Sequence, residues 1–299
     1  MPTFSPTDAA LEGFRITRER PWAVAAWAGL YLLVGLASAV LMILTVGPKF
    51  AMLQAAKNPA DPAAAAVIFR TLAPFYALAA PLGLVFQSII ICAVYRVVLK
   101  PSELTRGYVK LGRDELRMMI LSLAMALIAA AVLFALLTVD GIVAIAVHAV
   151  VGGAGQAVAF LLMGASFGIL AWVIVRLSLA PAMTFMTGEL HIFRAWPLTR
   201  GHFWPLFGAY LLAAILAAIT FLLAMVIFGA LAGAILILSG GSIADVGRVF
   251  QPNVTSIMVY FTPAMIIYQL FLAGVTAVCY TVTLSPSAVA YAALSRPTT

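Results

Sequence analysis

The residues able to carry acid–base or metal chemistry are few in this chain and poorly spaced for it. Asp114 and Glu115 are adjacent, and neighbouring side chains on a helix point about 100° apart, too far round to share a proton. Glu189 and His191 lie in one short segment, and surface ion pairing is the role expected of all four. His148, His191 and His202 are scattered over two loop regions, and Cys92 and Cys279 fall inside apolar runs, so no metal-ligand spacing emerges. A secreted disulfide framework is excluded by the same placement of the cysteines. The serines occupy no nucleophile-elbow motif. Neither a catalytic residue nor a cofactor is expected.

The chemistry that remains belongs to arginine and tryptophan. Arg96 and Arg176 stand at the ends of long apolar runs, and Arg200 stands just before Trp204. A guanidinium binds phosphate through two parallel N–H groups, and tryptophan anchors helices at a membrane interface. Arg96, Arg176 and Arg200, flanked by Trp22, Trp196 and Trp204, are therefore the expected lipid-headgroup residues, and anionic membrane lipids the expected partners.

The elements that hold these residues must be membrane helices. Of 299 residues, 65% are hydrophobic and 9% charged, whereas soluble domains carry roughly 25% charged residues. The formal charge of +7 resides in short loops, which suits an anionic membrane surface rather than nucleic acid. A span needs about 20 apolar residues. Six are read: 21–48, 71–95 with a kink at Pro81, 118–139, 156–175, 204–238, and about 256–284 with Pro263 inside it. The apolar run after residue 20 is too long for a signal peptide and is read as a retained helix. The fold class is all-α integral membrane protein, a single transmembrane domain over 1–299.

Segments outside the spans divide by kind. Residues 1–20 are expected to be a cytoplasmic N-terminal segment, and 49–70 leaves room for a short helix outside the membrane. Residues 140–155 are mostly apolar and are expected on or in the outer interface. Residues 181–202 suit an amphipathic helix in the headgroup region, and 100–117 is similar but more basic. With the N-terminus inside, 13 of the 17 basic residues are cytoplasmic (Arg15, Arg18, Arg20, Arg96, Lys100, Arg106, Lys110, Arg113, Arg117, Arg176, Arg194, Arg200 and Arg296), leaving Lys49, Lys57, Arg70 and Arg248 outside. That bias puts both termini in the cytoplasm.

An internal repeat organises the spans. The second, fourth and sixth end on related frames: Tyr95-Arg96-Val97-Val98-Leu99-Lys100-Pro101, Val175-Arg176-Leu177-Ser178-Leu179-Ala180-Pro181 and Tyr280-Thr281-Val282-Thr283-Leu284-Ser285-Pro286. Proline is expected to end each helix. Ile16-Thr17-Arg18 before Trp22 matches Leu198-Thr199-Arg200 before Trp204 in spacing. Three helical hairpins follow, over 14–101, 108–181 and 196–286, joined by cytoplasmic interfacial segments. Pro101-Ser102-Glu103-Leu104-Thr105-Arg106 matches the signature of mitochondrial carriers, but it follows an even-numbered helix and is not repeated, so it is set aside. Two GxxxG faces, Gly164/Gly168 and Gly229/Gly233, allow close helix packing within the chain or against a homo-oligomeric or other membrane-protein partner.

The stretch from Arg176 to Leu212 resembles the membrane domain attached to some bacterial glycerophosphodiester phosphodiesterases, and its stand-alone relatives. Arg-Leu-x-Leu-Ala-Pro at 176–181, Gly188-Glu189, and Trp196-Pro197-Leu198-Thr199-Arg200-Gly201 with Phe203-Trp204 carry the likeness. The resemblance implies a polytopic domain of the bacterial inner membrane and not the phosphodiesterase reaction, because the soluble catalytic barrel has no room here. Function is expected to be non-enzymatic, a lipid-binding or membrane-organising module. The alternative is a transporter or channel for a lipid-like or small amphipathic solute, favoured by the repeat and the helix-interrupting prolines and glycines.

Overall fold

The computed structural model describes residues 4–55, 61–102, 108–152, 155–242 and 245–295. Lys57, Glu103, Arg106, Gly153 and Arg296 lie outside the described residues. The described chain is all-α, and six of its helices are long and apolar enough to cross a membrane. That composition forces helices, since within lipid each backbone N–H and C=O must find its partner inside its own segment.

The first hairpin is α2 (Pro21–Val46) and α4 (Pro62–Leu99), joined through a 3-10 turn at Gly47–Lys49 and the short α3 (Phe50–Ala55). The second is α5 (Arg113–Val151) and α6 (Gly155–Leu177); the third is α9 (Phe203–Leu238) and α12 (Pro263–Leu294). Helices adjacent in sequence pack side by side, α4 against α5 and α6 against α9. The ring closes through α12, which packs on α2, α4 and α9 and so forms the hub. One end of the bundle, the arginine-rich face, gathers the start of α2, the end of α4, the start of α5 and the end of α6.

The N-terminal segment is packed into the bundle over its described part. From Pro6 to Glu19 it forms α1, whose N-cap Ser5 accepts the Asp8 N–H. Its apolar side, with Ala9, Ala10, Gly13 and Ile16 buried, packs along α12 and α9. Gly13 permits this contact: a Cβ there would stand 2.3 Å from Val282 Cα. The amphipathic stretch at 181–202 is also more embedded than expected. It divides into α7 (Ala180–Thr187), with Ala182, Thr184 and Phe185 buried, and a single turn, α8 (Ala195–Leu198). Gly188 ends α7 in the left-handed region, at φ 70°, where glycine carries no Cβ penalty.

Three boundaries differ from the sequence reading. Residues 140–151 are not a loop between spans but continue α5 to Val151, because nothing stops the helix before Gly152 turns at φ 63°. At 39 residues α5 is about 58 Å long, well beyond a hydrocarbon core of about 30 Å. Pro263 does not kink the sixth span; it occupies the first turn of α12, with Thr262 as N-cap accepting the Met265 N–H at 3.2 Å, where a missing N–H costs nothing. The preceding Ile257–Tyr260 forms a separate turn, α11. Conversely Pro286 does not end α12, which runs on to Leu294. The proline ring deprives the Val282 carbonyl of its usual donor, and the Ser285 hydroxyl lies 3.4 Å from it instead. The third hairpin therefore extends past 286.

Candidate lipid-headgroup site

Arg96 and Arg176 occupy equivalent places, in the last turns of α4 and α6, yet their surroundings are opposite. The Arg96 side chain is 2% exposed. It donates through Nη2 to Glu115 Oε1 and through Nη1 to the Tyr108 carbonyl at 3.0 Å. Glu115 sits in the first turn of α5, where a carboxylate also favours the positive end of the helix dipole. The Phe185 ring of α7 lies 5.7 Å from the guanidinium carbon and 5.0 Å from Lys100 Nζ. Arg96 thus fastens α4 to α5 and α7, and its guanidinium does not reach a headgroup. The expectation of surface pairing for Glu115 is corrected by the same contact. Asp114 does pair at the surface, with Arg117 at 3.3 Å, and Glu189 lies 3.4 Å from His191.

Tyr108 shows how tightly this corner is held. It has φ 57°, a conformation that a bulky residue adopts only when its surroundings enforce it. Its carbonyl is held by Arg96, and its ring stacks under Arg20 at 5.3 Å.

Arg176 has no acid. Its guanidinium lies over Trp172 at 5.5 Å and Trp196 at 5.9 Å, and these two indoles meet edge to face at 5.0 Å. Trp172 stands one turn earlier on α6; Trp196 comes from α8. The α8 turn is tied down by the Thr199 hydroxyl, which donates to the Arg176 carbonyl at 3.2 Å. Arg176 Nε and Nη1 are buried and have no hydrogen-bond partner among the described residues. A desolvated cation is favoured over tryptophan faces by up to about 2 kcal/mol, but ring faces do not replace acceptors for the N–H groups. The arrangement is a half-built oxyanion site, with cation and walls present and an acceptor missing.

The remaining expected residues are less closely joined. Arg200 is exposed in the turn between α8 and α9, immediately after Thr199. Trp22 and Trp204 are 86% and 76% exposed, and among the described residues neither ring meets Arg176. The residues quoted from the two halves of the 176–201 motif do meet in space, through Arg176, Trp196 and Thr199. Trp172 was missed by the sequence reading, although its place four residues before Arg176 on one helix face was a usable signal.

The glycine pairs are not where the chain packs tightly. Gly164, Gly168 and Gly229 would each place a Cβ with nothing within 4 Å; Gly233 has only Val246 Cγ2, at 3.8 Å. The close approaches fall instead at Gly13 and at Gly47, where a Cβ would lie 2.5 Å from the Val254 carbonyl oxygen. Among the described residues no three His, Cys, Asp or Glu side chains gather as a metal site. No family model, curated protein or solved structure matches this chain.

Proposed function

We propose that this protein is a non-enzymatic, multi-pass module of the bacterial inner membrane that binds anionic lipid headgroups on its arginine-rich, cytoplasmic face. The observation that carries the reading is the Arg176 guanidinium, caged by Trp172 and Trp196 with Nε and Nη1 lacking acceptors. A phosphodiester beside the guanidinium would supply the missing counter-charge, and the exposed Arg200 in the neighbouring turn adds positive charge for the same headgroup. The exposed Trp22 and Trp204 serve as interfacial anchors. The likeness of 176–212 to the membrane domain of glycerophosphodiester phosphodiesterases agrees with a polytopic module, and Arg176 belongs to the motif that carries it. Transport of a lipid-like solute is the second reading, and it draws on a polar cleft between α2 and α12. A packed cluster including Val24, Trp27, Phe86, Ile90 and Val94 lies between those helices and α4, and no residue of the arginine-rich face lines the cleft.

Native mass spectrometry of the purified protein tests the lipid reading. Each basic contact near an anionic surface contributes on the order of 1 kcal/mol, about fivefold in affinity. Arg176→Gln with Arg200→Gln should lower retained anionic lipid by more than about tenfold, with insertion unchanged. Retention equal to the parent in a correctly inserted double variant would reduce these arginines to an orientation signal.

A further inference from the structure

The cleft between α2 and α12 is lined by Tyr31, Gly35 and Ser38 on one helix and Gln269, Ala273 and Thr276 on the other. Gly35 stands near the middle of α2, so this polar patch is at mid-depth in the bundle. Water cannot be counted on there, and each polar group needs a partner. The Tyr31 hydroxyl is buried and has none among the described residues. Gln269 donates its amide N–H to Tyr260 Oη at 2.9 Å, and its carbonyl Oε1 stands 3.6 Å from the place a Gly35 Cβ would take. Below, the cleft is closed by the Tyr31 ring against Phe86 at 4.7 Å and Tyr280 at 5.3 Å. Tyr260, the partner of Gln269, also lines a separate open cleft of about 780 Å³ with Arg248 and Met265.

We infer that this cleft is a second lipid site, built for the uncharged, hydroxyl-bearing headgroup of a neutral lipid such as a diacylglycerol. Its chemistry differs from that of the arginine-rich rim and does not depend on it. No Asp, Glu, Lys, Arg or His lines the cleft, so a phosphate would lose its hydration without gaining a counter-charge. The Gln269 carbonyl can only accept, which calls for an O–H or N–H donor in the ligand. The Ser38 and Thr276 hydroxyls can both donate and accept, which matches an alcohol beside ester carbonyls. The space, about 220 Å³, takes a headgroup and not a whole lipid. The acyl chains stay in the bilayer.

The full chain in phosphatidylcholine nanodiscs, doped with a photoreactive diacylglycerol, provides the test. Crosslinks should concentrate on α2 and α12 peptides and be competed by unlabelled diacylglycerol. Gly35→Leu fills the cleft without removing a polar atom, and should abolish that labelling. Thr276→Val removes one cleft hydroxyl at constant shape and should weaken it on the order of fivefold, the value of one hydrogen bond; it decides the matter where Gly35→Leu fails to fold. Arg176→Gln should leave the labelling unchanged, which separates this site from the rim. The inference is overturned by parent-level labelling in either cleft variant, by labels spread evenly over all lipid-facing helices, or by a photoreactive phosphatidic acid labelling the cleft as strongly.

Discussion

The Arg96–Glu115 pair makes a quantitative prediction that turns on burial. The two side chains are 2% and 6% exposed, so solvent cannot stabilise whichever charge is left behind when its partner is removed. Orphaning one member of a buried pair costs about 3–5 kcal/mol. Glu115→Leu leaves the arginine, which cannot give up its proton, with only the Tyr108 carbonyl and the Phe185 face. It should destabilise by about that amount. Arg96→Met should cost a similar amount, since it orphans Glu115 and also strips the Tyr108 carbonyl of its donor. The double variant removes both charges. What it loses is chiefly the Tyr108 hydrogen bond, roughly 1–3 kcal/mol, so it should be more stable than either single variant. Unfolding titrations in detergent micelles would supply all four free energies and the coupling between the sites. A Glu115→Leu variant within about 1 kcal/mol of the parent, as for exposed pairs, would refute the reasoning, and so would strictly additive single and double variants.

Two further predictions address topology and packing. In a Cys92→Ala, Cys279→Ala background, a cysteine introduced at Asp61 should react with an impermeant thiol reagent from outside and one at Glu189 only from inside; labelling at Glu189 from outside would invert the arrangement drawn from the Lys/Arg bias. Gly13→Ala should loosen α1 from α12 and cost about 1–3 kcal/mol by overpacking, because the added carbon meets backbone at 2.3 Å, whereas Gly164→Ala meets nothing within 4 Å and should leave unfolding unchanged. Faster protease cleavage within residues 1–20 of the Gly13 variant would report the loosening, and its absence would count against the close contact.

The sequence made the six spans and their hairpin pairing legible because apolar length is nearly the whole of the membrane signal. It did not disclose where helices start and stop. Pro263 and Pro286 are the same residue type with opposite meanings. One is preceded by a threonine able to cap, which marks a start. The other is preceded by a serine able to cover the carbonyl the ring leaves free, which lets the helix continue. Both signals are side-chain hydrogen bonds of one residue, easily lost beside a run of apolar neighbours. The burial of α1 was likewise hidden. Its charges, Asp8, Glu12, Arg15 and Arg18, mark a surface segment, and only its small residues Ala9, Ala10 and Gly13 disclose a packed side.

The candidate site was harder to read than the fold because the repeated frame fixes a residue's place on its helix and not its partner. In the first copy Arg96 meets Glu115, supplied by the start of α5, and becomes a structural clamp. In the third, Thr281 replaces arginine; α12 is the hub, and a buried hydroxyl can satisfy itself on the Ala277 carbonyl at 2.7 Å where a guanidinium could not. Only the second copy keeps a cation without an acid. The nearest carboxylate in sequence, Glu189, is 73% exposed and lies 3.4 Å from His191, so Arg176 is left to the tryptophans. A cation whose intrachain acceptor is missing, at the end of a membrane helix and walled by indoles, gains most from an anion that the bilayer itself supplies. A carboxylate added within reach of Arg176, as by Val173→Glu three residues earlier on the same face of α6, should act as the lipid does. It should stabilise the purified protein in neutral detergent and lower its retention of anionic lipid. A variant that keeps the parent's lipid complement, despite a well-formed ion pair between Arg176 and the introduced carboxylate, would show that the headgroup binds elsewhere on the rim.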